Sequence, residues 1–278
     1  MGRGPDGARL RAAPVGIFEQ LKNAFSFDGF GLPQMGGACA ALILAAVFLF
    51  DSNLSGLGDV ERYETAVSEI QTLSLADGST VTLGANSQIE VSFSEGKRWV
   101  DLNRGQAFFD VSKDPARPFY VATSSATVRV VGTRFDVRRN RDKIKVTVEE
   151  GIVGVVRSAR TTDRVNTDKP TSSQQLLAGE QLRVNSQGMS EVTPVEAVAS
   201  WRDGRLVYRN ARLAEVIADA NRYYKGTITL GAVHLENLEV TTSYSVDQVD
   251  TMVSMLEQSL PLVVHREAGG RVLILPKF

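Results

Sequence analysis

The sequence is poor in the residues that most often build redox and metal chemistry. Its 278 residues include one cysteine, Cys39, and two histidines, His234 and His265. A single cysteine excludes an intrachain disulfide and a cysteine-based zinc site, and its apolar surroundings favour a packing role. The histidines fall in different predicted elements without the HExxH spacing, so we expect both to be structural or solvent-facing. We therefore predict no metal and no other cofactor.

The chain also lacks an excess of charge of either sign. Thirty-one Lys and Arg residues stand against thirty-two Asp and Glu residues, a formal net charge of -1. Non-specific binding of nucleic acid depends on a large basic field, so no nucleic-acid partner is expected. The content of 43% hydrophobic and 23% charged residues is ordinary for globular chains, and this length suggests two domains.

No group of residues has the spacing of a catalytic site. The acid/base candidates are Asp114, Asp136, Glu149 and Glu150, which a glycosidase-like site would use in pairs. On alternating strands they fall on the polar face, where a solvated role is the better interpretation. The two Gly-Gly pairs lack a GxGxxG or Walker context and indicate no nucleotide. The sequence therefore predicts a protein that is not an enzyme.

The most regular pattern lies in residues 101–154, where apolar and polar residues alternate with a period of two. This alternation predicts short strands with one face buried and the other in water. Turn-forming residues interrupt it at 103–105, 114–115, 117–118, 132, 140–143 and 151. A hairpin is also predicted over residues 73–83, around Asp77-Gly78. The pattern predicts a mainly β fold, an antiparallel or solenoid-like β domain over residues 73–192, with a solvated loop at 160–175.

Four blocks in this region carry a resemblance to a known family. They read GQAFFDVSKDPARPFYV, VRVVGTRFDVR, VEEGIVGV and LLAGEQ, and in this order they resemble the successive signatures of the FecR domain. The resemblance implies the periplasmic part of a transmembrane regulator, which relays a signal from a TonB-dependent outer-membrane receptor to an extracytoplasmic-function sigma factor. In these blocks we expect Phe119 and Phe135 in the core, and Arg117 and Arg134 fixing turns or pairing with carboxylates across strands.

An uncharged apolar run at residues 32–50 is the predicted transmembrane helix. Its length of about 28 Å at 1.5 Å per residue approaches the roughly 30 Å hydrocarbon core of a bilayer. A cleaved signal peptide is the alternative, but the preceding region is long and no small-x-small site follows. Basic residues precede the run and acidic residues follow it. We therefore expect one inner-membrane pass, with residues 1–31 cytoplasmic, residues 51–72 a periplasmic spacer and the bulk of the chain periplasmic.

Typical members of the FecR family carry a cytoplasmic helical domain of several tens of residues that holds the sigma factor. The first 34 residues have neither that length nor its tryptophan-rich pattern. The sequence thus predicts a FecR-type chain without that domain.

Residues 201–278 have a different pattern, in which strands alternate with helices. Residues 212–224 have helical periodicity, and Ser245 is expected to cap a second helix. This small α+β domain resembles the C-terminal FecR unit, similar to the secretin and TonB short N-terminal domain, which docks on the receptor's signalling domain. The predicted strands at residues 238–244 and 272–275 are candidate partner-binding edges of a sheet. For the strand at 272–275, an equally good interpretation is that it completes a hairpin in the core. The predicted partner-binding residues of these two strands are Leu238, Val240, Thr242, Tyr244, Val272 and Ile274.

Two classes of function fit these observations. The first is a FecR-type signal-relay protein whose partners are a TonB-dependent receptor and an extracytoplasmic-function sigma factor. The second is a membrane-tethered periplasmic scaffold or ligand-binding protein that keeps the fold without sigma regulation.

Overall fold

The computed structural model describes residues 60–157, 173–195 and 197–277. They belong to one compact unit, Leu57–Phe278. The predicted cytoplasmic segment, the transmembrane helix, Cys39 and most of the predicted loop at 160–175 lie outside the described residues. Within those residues, no helix has both the length and the apolar composition that crossing a bilayer requires.

The N-terminal part is mainly β, and its described strands join in one curled sheet of 14 strands. In chain order the strands are β1 (Glu61–Glu64), β2 (Gln71–Ser74), β3 (Thr80–Leu83), β4 (Gln88–Phe93), β5 (Arg98–Asp110), β6 (Phe119–Ala122), β7 (Ala126–Val130), β8 (Arg134–Asn140), β9 (Lys143–Glu150), β10 (Ile152–Arg157), β11 (Ser173–Leu177), β12 (Glu180–Asn185), β13 (Gly188–Met189) and β14 (Thr193–Pro194). The predicted hairpin over residues 73–83 is confirmed, because β2 and β3 pair antiparallel with Leu73 opposite Val81.

Strand β5 joins the two halves of this sheet. Its first half pairs with β4 and, in parallel, with β6. Its second half pairs with β3 and β8, and β8 continues through β9 to β12. The side chains that point between the two halves form a single apolar cluster. The sheet thus folds over its own core, which is how a mainly antiparallel fold buries one face of every strand.

The predicted turn at residues 103–105 is wrong, because β5 runs through it for 13 residues. Gly105 has a φ of +88°, which bends the strand where it passes from one half of the sheet to the other. A Cβ atom at this position would lie 2.2 Å from Ser87 Oγ. The glycine therefore permits a bend and a close approach rather than a chain reversal.

Phenylalanine rings form the centre of the core, as predicted. Phe119 and Phe135 are both fully buried. Phe109 stacks on Phe135 at 5.1 Å and meets Phe119 edge-on at 6.0 Å between ring centroids. The expected roles of the neighbouring arginines are also confirmed: Arg117 pairs with Asp114 within its turn, and Arg134 pairs across strands with Asp110 and Glu149.

The C-terminal part, residues 197–277, mixes helices with two small sheets. Its elements are β15 (Arg205–Arg212), α1 (Leu213–Tyr223), β16 (Thr227–Leu230), β17 (Glu239–Ser245), α2 (Val249–Ser259), β18 (Leu262–Arg266) and β19 (Arg271–Pro276), with short 3-10 turns at Ser200–Asp203, Val233–Asn237 and Ala268–Gly270. Strand β15 pairs with β17, and β19 lies between β16 and β18. The predicted Ser245 cap is wrong, because α2 begins at Val249 and the Ser245 hydroxyl donates to the Gly204 carbonyl.

Candidate functional site: a buried polar interface

The outward face of β5, β8 and β9 is polar in sequence but is covered in the structure. Gln106, Asp136, Arg138 and Thr147 are buried, with Asp136 only 2% exposed. Phe108, on the same face, joins the apolar cluster of the C-terminal part. The prediction that this face is in water is therefore wrong here. Alternation identifies the two faces of a strand, but it does not show that another part of the chain covers the polar one.

Asp136 is the centre of this interface. Its Oδ1 accepts a hydrogen bond of 2.8 Å from the Trp201 indole, and the Gln106 amide donates to both carboxylate oxygens at 3.0 and 2.9 Å. Burial raises the pKa of Asp136, while the hydrogen bonds from Trp201 and Gln106 oppose that shift. The predicted solvated role for Asp136 is wrong, since its carboxylate instead ties the sheet to the C-terminal part.

Trp201 reaches Asp136 because a tight 3-10 turn precedes β15. The turn, Ser200–Asp203, lies between Ala199 and Gly204, which both have left-handed backbone conformations. The indole ring is 3% exposed. Next to it, Arg202 stacks 3.6 Å above the centroid of the Phe108 ring. The turn thus presents one aromatic donor and one cation to the same patch of the sheet.

Arg222, near the end of α1, forms the second link. Its guanidinium donates to the Ala85 carbonyl from Nε and Nη2 at 2.9 and 2.8 Å, and to Gln106 Oε1 from Nη1 at 2.8 Å. Burial lowers the pKa of Arg222. A Cβ atom on Gly84 would lie 2.8 Å from Arg222 Nη2 and 3.2 Å from the Trp201 ring, so a larger residue would require both side chains to shift. Arg222 thereby connects Asp136, through Gln106, to the turn between β3 and β4.

An ion pair between Arg138 and Asp219 forms the third link. The two side chains are 9% and 5% exposed, and Nη1 lies 2.5 Å from Oδ2. The Tyr208 hydroxyl donates to the same Oδ2 at 2.6 Å, and burial raises the pKa of Tyr208. The Tyr208 ring stacks on Tyr244 of β17 at 6.1 Å. A buried pair of this kind is costly to break from one side, because the remaining charge is left without a partner.

The other acid/base candidates are engaged separately. Asp114 lies in the loop between β5 and β6, where the hydrogen bond from Arg117 lowers its pKa. Glu149 pairs with Arg202 at 2.6 Å and Arg134 at 2.9 Å, whereas Glu150 is exposed. The contacts of Asp136 are an indole and an amide rather than a second carboxylate. Asp114, Asp136 and Glu149 thus serve as individual ion-pair or hydrogen-bond partners, and Glu150 faces solvent.

Both histidines are exposed to solvent, which is one of the two roles predicted for them, the other being a structural role. Both line one cavity of about 590 Å³ beside β18 and β19, a proximity that their separate elements did not predict. The described residues contain no group of three or more His, Cys, Asp or Glu side chains that could hold a metal ion.

The two predicted partner-binding strands differ in the structure. β19 is the central strand of its sheet and pairs along both edges, so the prediction that Val272 and Ile274 lie on an open edge is wrong. Both side chains are buried, which agrees with the core-hairpin interpretation. β17, in contrast, has β15 as its only paired neighbour in the described part of the chain. Val240 and Tyr244 are buried, whereas Leu238 and Thr242 are partly exposed. Partner binding by β17 stays a prediction.

Sequence reasoning missed Gln106, Arg138, Trp201, Asp219 and Arg222 as a connected set. One signal was available. The tight hairpin at residues 140–143 implies the register of β8 and β9, and that register sets Arg138 directly opposite Lys145. Like charges opposite each other destabilise a sheet, so such a pair indicates that something else must approach this face.

Comparison with known proteins agrees with this architecture. Residues 61–154 match the family described as FecR protein. Two crystal structures of a candidate anti-sigma factor from Parabacteroides distasonis ATCC 8503, at 2.50 and 1.65 Å resolution, are similar to the chain with TM-scores of 0.66 and 0.65 and 25% identity. They cover 78% and 77% of this chain, and the match extends over 99% and 98% of their own. No curated protein matched the chain.

The family that residues 61–154 match is a family of regulatory proteins. Residues 61–154 of this chain are a FecR domain.

Proposed function

We propose that the chain is a single-pass inner-membrane signal-relay protein that carries a periplasmic signal from a TonB-dependent receptor toward an extracytoplasmic-function sigma factor. The observation that carries this proposal is the FecR match, together with structural neighbours that are described as candidate anti-sigma factors. The apolar run at residues 32–50, with basic residues before it and acidic residues after it, supports the inner-membrane location. The cytoplasmic side is the proposed position of the N-terminus.

In this proposal the C-terminal part, of the secretin and TonB short N-terminal type, contacts the receptor. A strand edge carries unpaired amide and carbonyl groups, so β17 can accept a strand from the receptor's signalling domain. Such a strand would lie beside Tyr244, whose ring stacks on Tyr208. Tyr208 in turn donates to Asp219, which pairs with Arg138 of the sheet. These contacts give docking a physical route to the FecR domain.

The docking step can be tested by calorimetry with the full-length chain in detergent and the signalling domain of the receptor encoded nearest its gene. We expect a dissociation constant of roughly tens of micromolar or tighter. Heat of dilution alone, with both proteins folded, would remove the docking step from the proposal.

Adjacent proline variants, Thr242→Pro and Ser243→Pro, provide a matched pair. Neighbouring residues of a strand direct their N–H groups to opposite edges, so one variant removes an amide that faces β15 and the other an amide that faces the open edge. The variant that keeps the native melting temperature is the open-edge variant. That variant should lose receptor binding, and unchanged binding would contradict docking through β17.

A membrane-tethered ligand-binding protein remains the second candidate function. The observation that favours it is a cavity lined by basic residues, among them Lys145 and Arg183 of the sheet and Arg212 of the C-terminal part.

A further inference from the structure

A row of three cations crosses adjacent strands of the 14-stranded sheet. The register sets Arg138 of β8 opposite Lys145 of β9, and Lys145 opposite Arg183 of β12. Directly opposed residues lie on the same face of the sheet, with neighbouring strands about 4.8 Å apart. Three like charges are thus held side by side on the face that the C-terminal part covers.

Only the outer two cations of the row have acidic partners. Arg138 pairs with Asp219 at 2.5 Å, and Arg183 lies 3.6 Å from Glu215. Lys145, between them, makes no ion pair within the described part of the chain. Burial and the charge of Arg138 lower the pKa of Lys145 to about 8, although Asp219, Asp136 and Glu215 act in the opposite direction. Among the described residues, the positive charge at the centre of the row therefore has no carboxylate within ion-pair distance.

The row borders a cavity of about 200 Å³. Two more cations, Lys143 of β9 and Arg212 of β15, line it, and Glu215 is the one carboxylate among its described lining residues. Asn140 and Asn185 add amide groups that can donate hydrogen bonds. Five basic side chains line the cavity, and Asp219 and Glu215 each pair with one of them, so the cavity keeps an excess of positive charge in a chain whose formal net charge is only -1.

We propose that this cavity binds a small, soluble anion that carries a phosphate group, such as a phosphate monoester or a diphosphate. The arginine guanidinium groups match phosphate oxygens with paired hydrogen bonds, and a lysine adds a point charge. At about 200 Å³ the cavity has room for roughly six water molecules, which is enough for a phosphate with a short organic substituent. The charge is confined to one small cavity, which fits a small ligand and not a polynucleotide.

The cavity lies between the sheet and the C-terminal part, so a bound ligand would also affect the stability of the contact between them. Its floor is formed by β8, β9 and β12, and its opposite wall by Arg212 and Glu215 of the C-terminal part. An anion that contacts both walls stabilises the folded arrangement in which they meet, by a free energy that rises with the logarithm of one plus its concentration over its dissociation constant. This site goes beyond the proposed relay and does not depend on it.

Calorimetry on the full-length chain in detergent tests the site. The titrants are inorganic phosphate, pyrophosphate and glycerol phosphate, each at ionic strength matched with sodium chloride, since screening weakens any charged surface. We expect saturable binding of at least one titrant and a rise in melting temperature with its concentration. Heat indistinguishable from sodium chloride for all three would overturn the proposal. So would binding seen only with vesicles of an anionic phospholipid.

Variants of Lys145 separate a binding role from a structural one. Lys145→Gln should weaken binding about tenfold or more, and Lys145→Arg should retain it. Arg129→Gln removes the same charge from an exposed position on β7 and should leave affinity unchanged.

Without ligand, Lys145→Gln should melt at a higher temperature than the wild type, because it removes one of three opposed like charges. Binding and stability thus change in opposite directions. A lower melting temperature with unchanged affinity, or an equal loss of affinity in Arg129→Gln, would contradict the assignment. Circular dichroism of each variant establishes that the fold is retained.

Discussion

At the scale of single residues, the interface depends on polar side chains that stand on a sheet face and are nevertheless buried. Asp136 accepts hydrogen bonds from Trp201, 65 positions later in the chain, and from Gln106, 30 positions earlier. The sequence next to Asp136 has the same alternation as the sequence next to an exposed aspartate on a strand. Its burial follows from the way the C-terminal part folds back, which local periodicity does not encode.

Two substitutions of Asp136 distinguish its acceptor role from its charge. Asp136→Ala leaves the Trp201 and Gln106 donors without an acceptor, and each unsatisfied buried donor costs about 1–3 kcal/mol of unfolding free energy. Asp136→Asn keeps an oxygen acceptor and removes the buried charge, so it should cost less. Urea unfolding of the three proteins measures the difference, and an Asp136→Ala variant as stable as the wild type would contradict the role of this residue.

The stability of the wild type and that of Asp136→Asn should also depend differently on pH. The folded protein binds the Asp136 proton more tightly than the unfolded chain does, because burial raises the pKa. The contribution of Asp136 to stability therefore falls as pH rises from the ordinary aspartate range through the raised pKa. Asp136→Asn should lack this fall.

At the scale of elements, sequence pattern predicted strands and helices more reliably than it predicted how they are joined. Alternation identified the hairpin of β2 and β3, and helical spacing over residues 212–224 identified α1. The pattern failed at Gly105, where turn-forming residues bend a continuous strand, and at β19, which is a central strand and not an edge. Both errors concern pairing partners, which depend on distant parts of the chain.

A glycine pair tests the interpretation of β5. Gly105→Ala forces a side chain onto a φ of +88° and brings its Cβ against Ser87, so we expect a loss of about 1–3 kcal/mol of unfolding free energy. Gly96→Ala is the matched control, since a Cβ there meets nothing within 4 Å. Chemical denaturation of both variants measures the contrast. Equal stability of the two would show that the bend at Gly105 does not require glycine.

At the scale of the whole molecule, the described residues form two apolar clusters with a polar interface beside them. The first cluster fills the curled sheet, and the second takes Ala85 and Phe108 from the sheet into the core of the C-terminal part. Because residues of the FecR domain complete that second core, the C-terminal part is expected to depend on the sheet for its own stability. A partner that binds the C-terminal part would therefore act on both.

The family, the β-rich fold and the regulatory class were accessible from the sequence, because four ordered blocks carry the FecR pattern. The interface and the basic cavity were not, since their residues come from β5, β8, β9, β12, β15 and α1. Arg138, Lys145 and Arg183 become a row only once the strand order is known. Site residues drawn from so many elements leave no signature of spacing.

The proposed relay of a signal to a sigma factor can be tested by transcript sequencing. Cells that lack the gene are compared with the wild type and with cells in which the full-length chain is restored. Relay predicts a change in the transcripts of one extracytoplasmic-function sigma regulon, reversed by restoring the chain. Transcripts that are the same in all three strains, under conditions in which the wild type produces the protein, would contradict the claim.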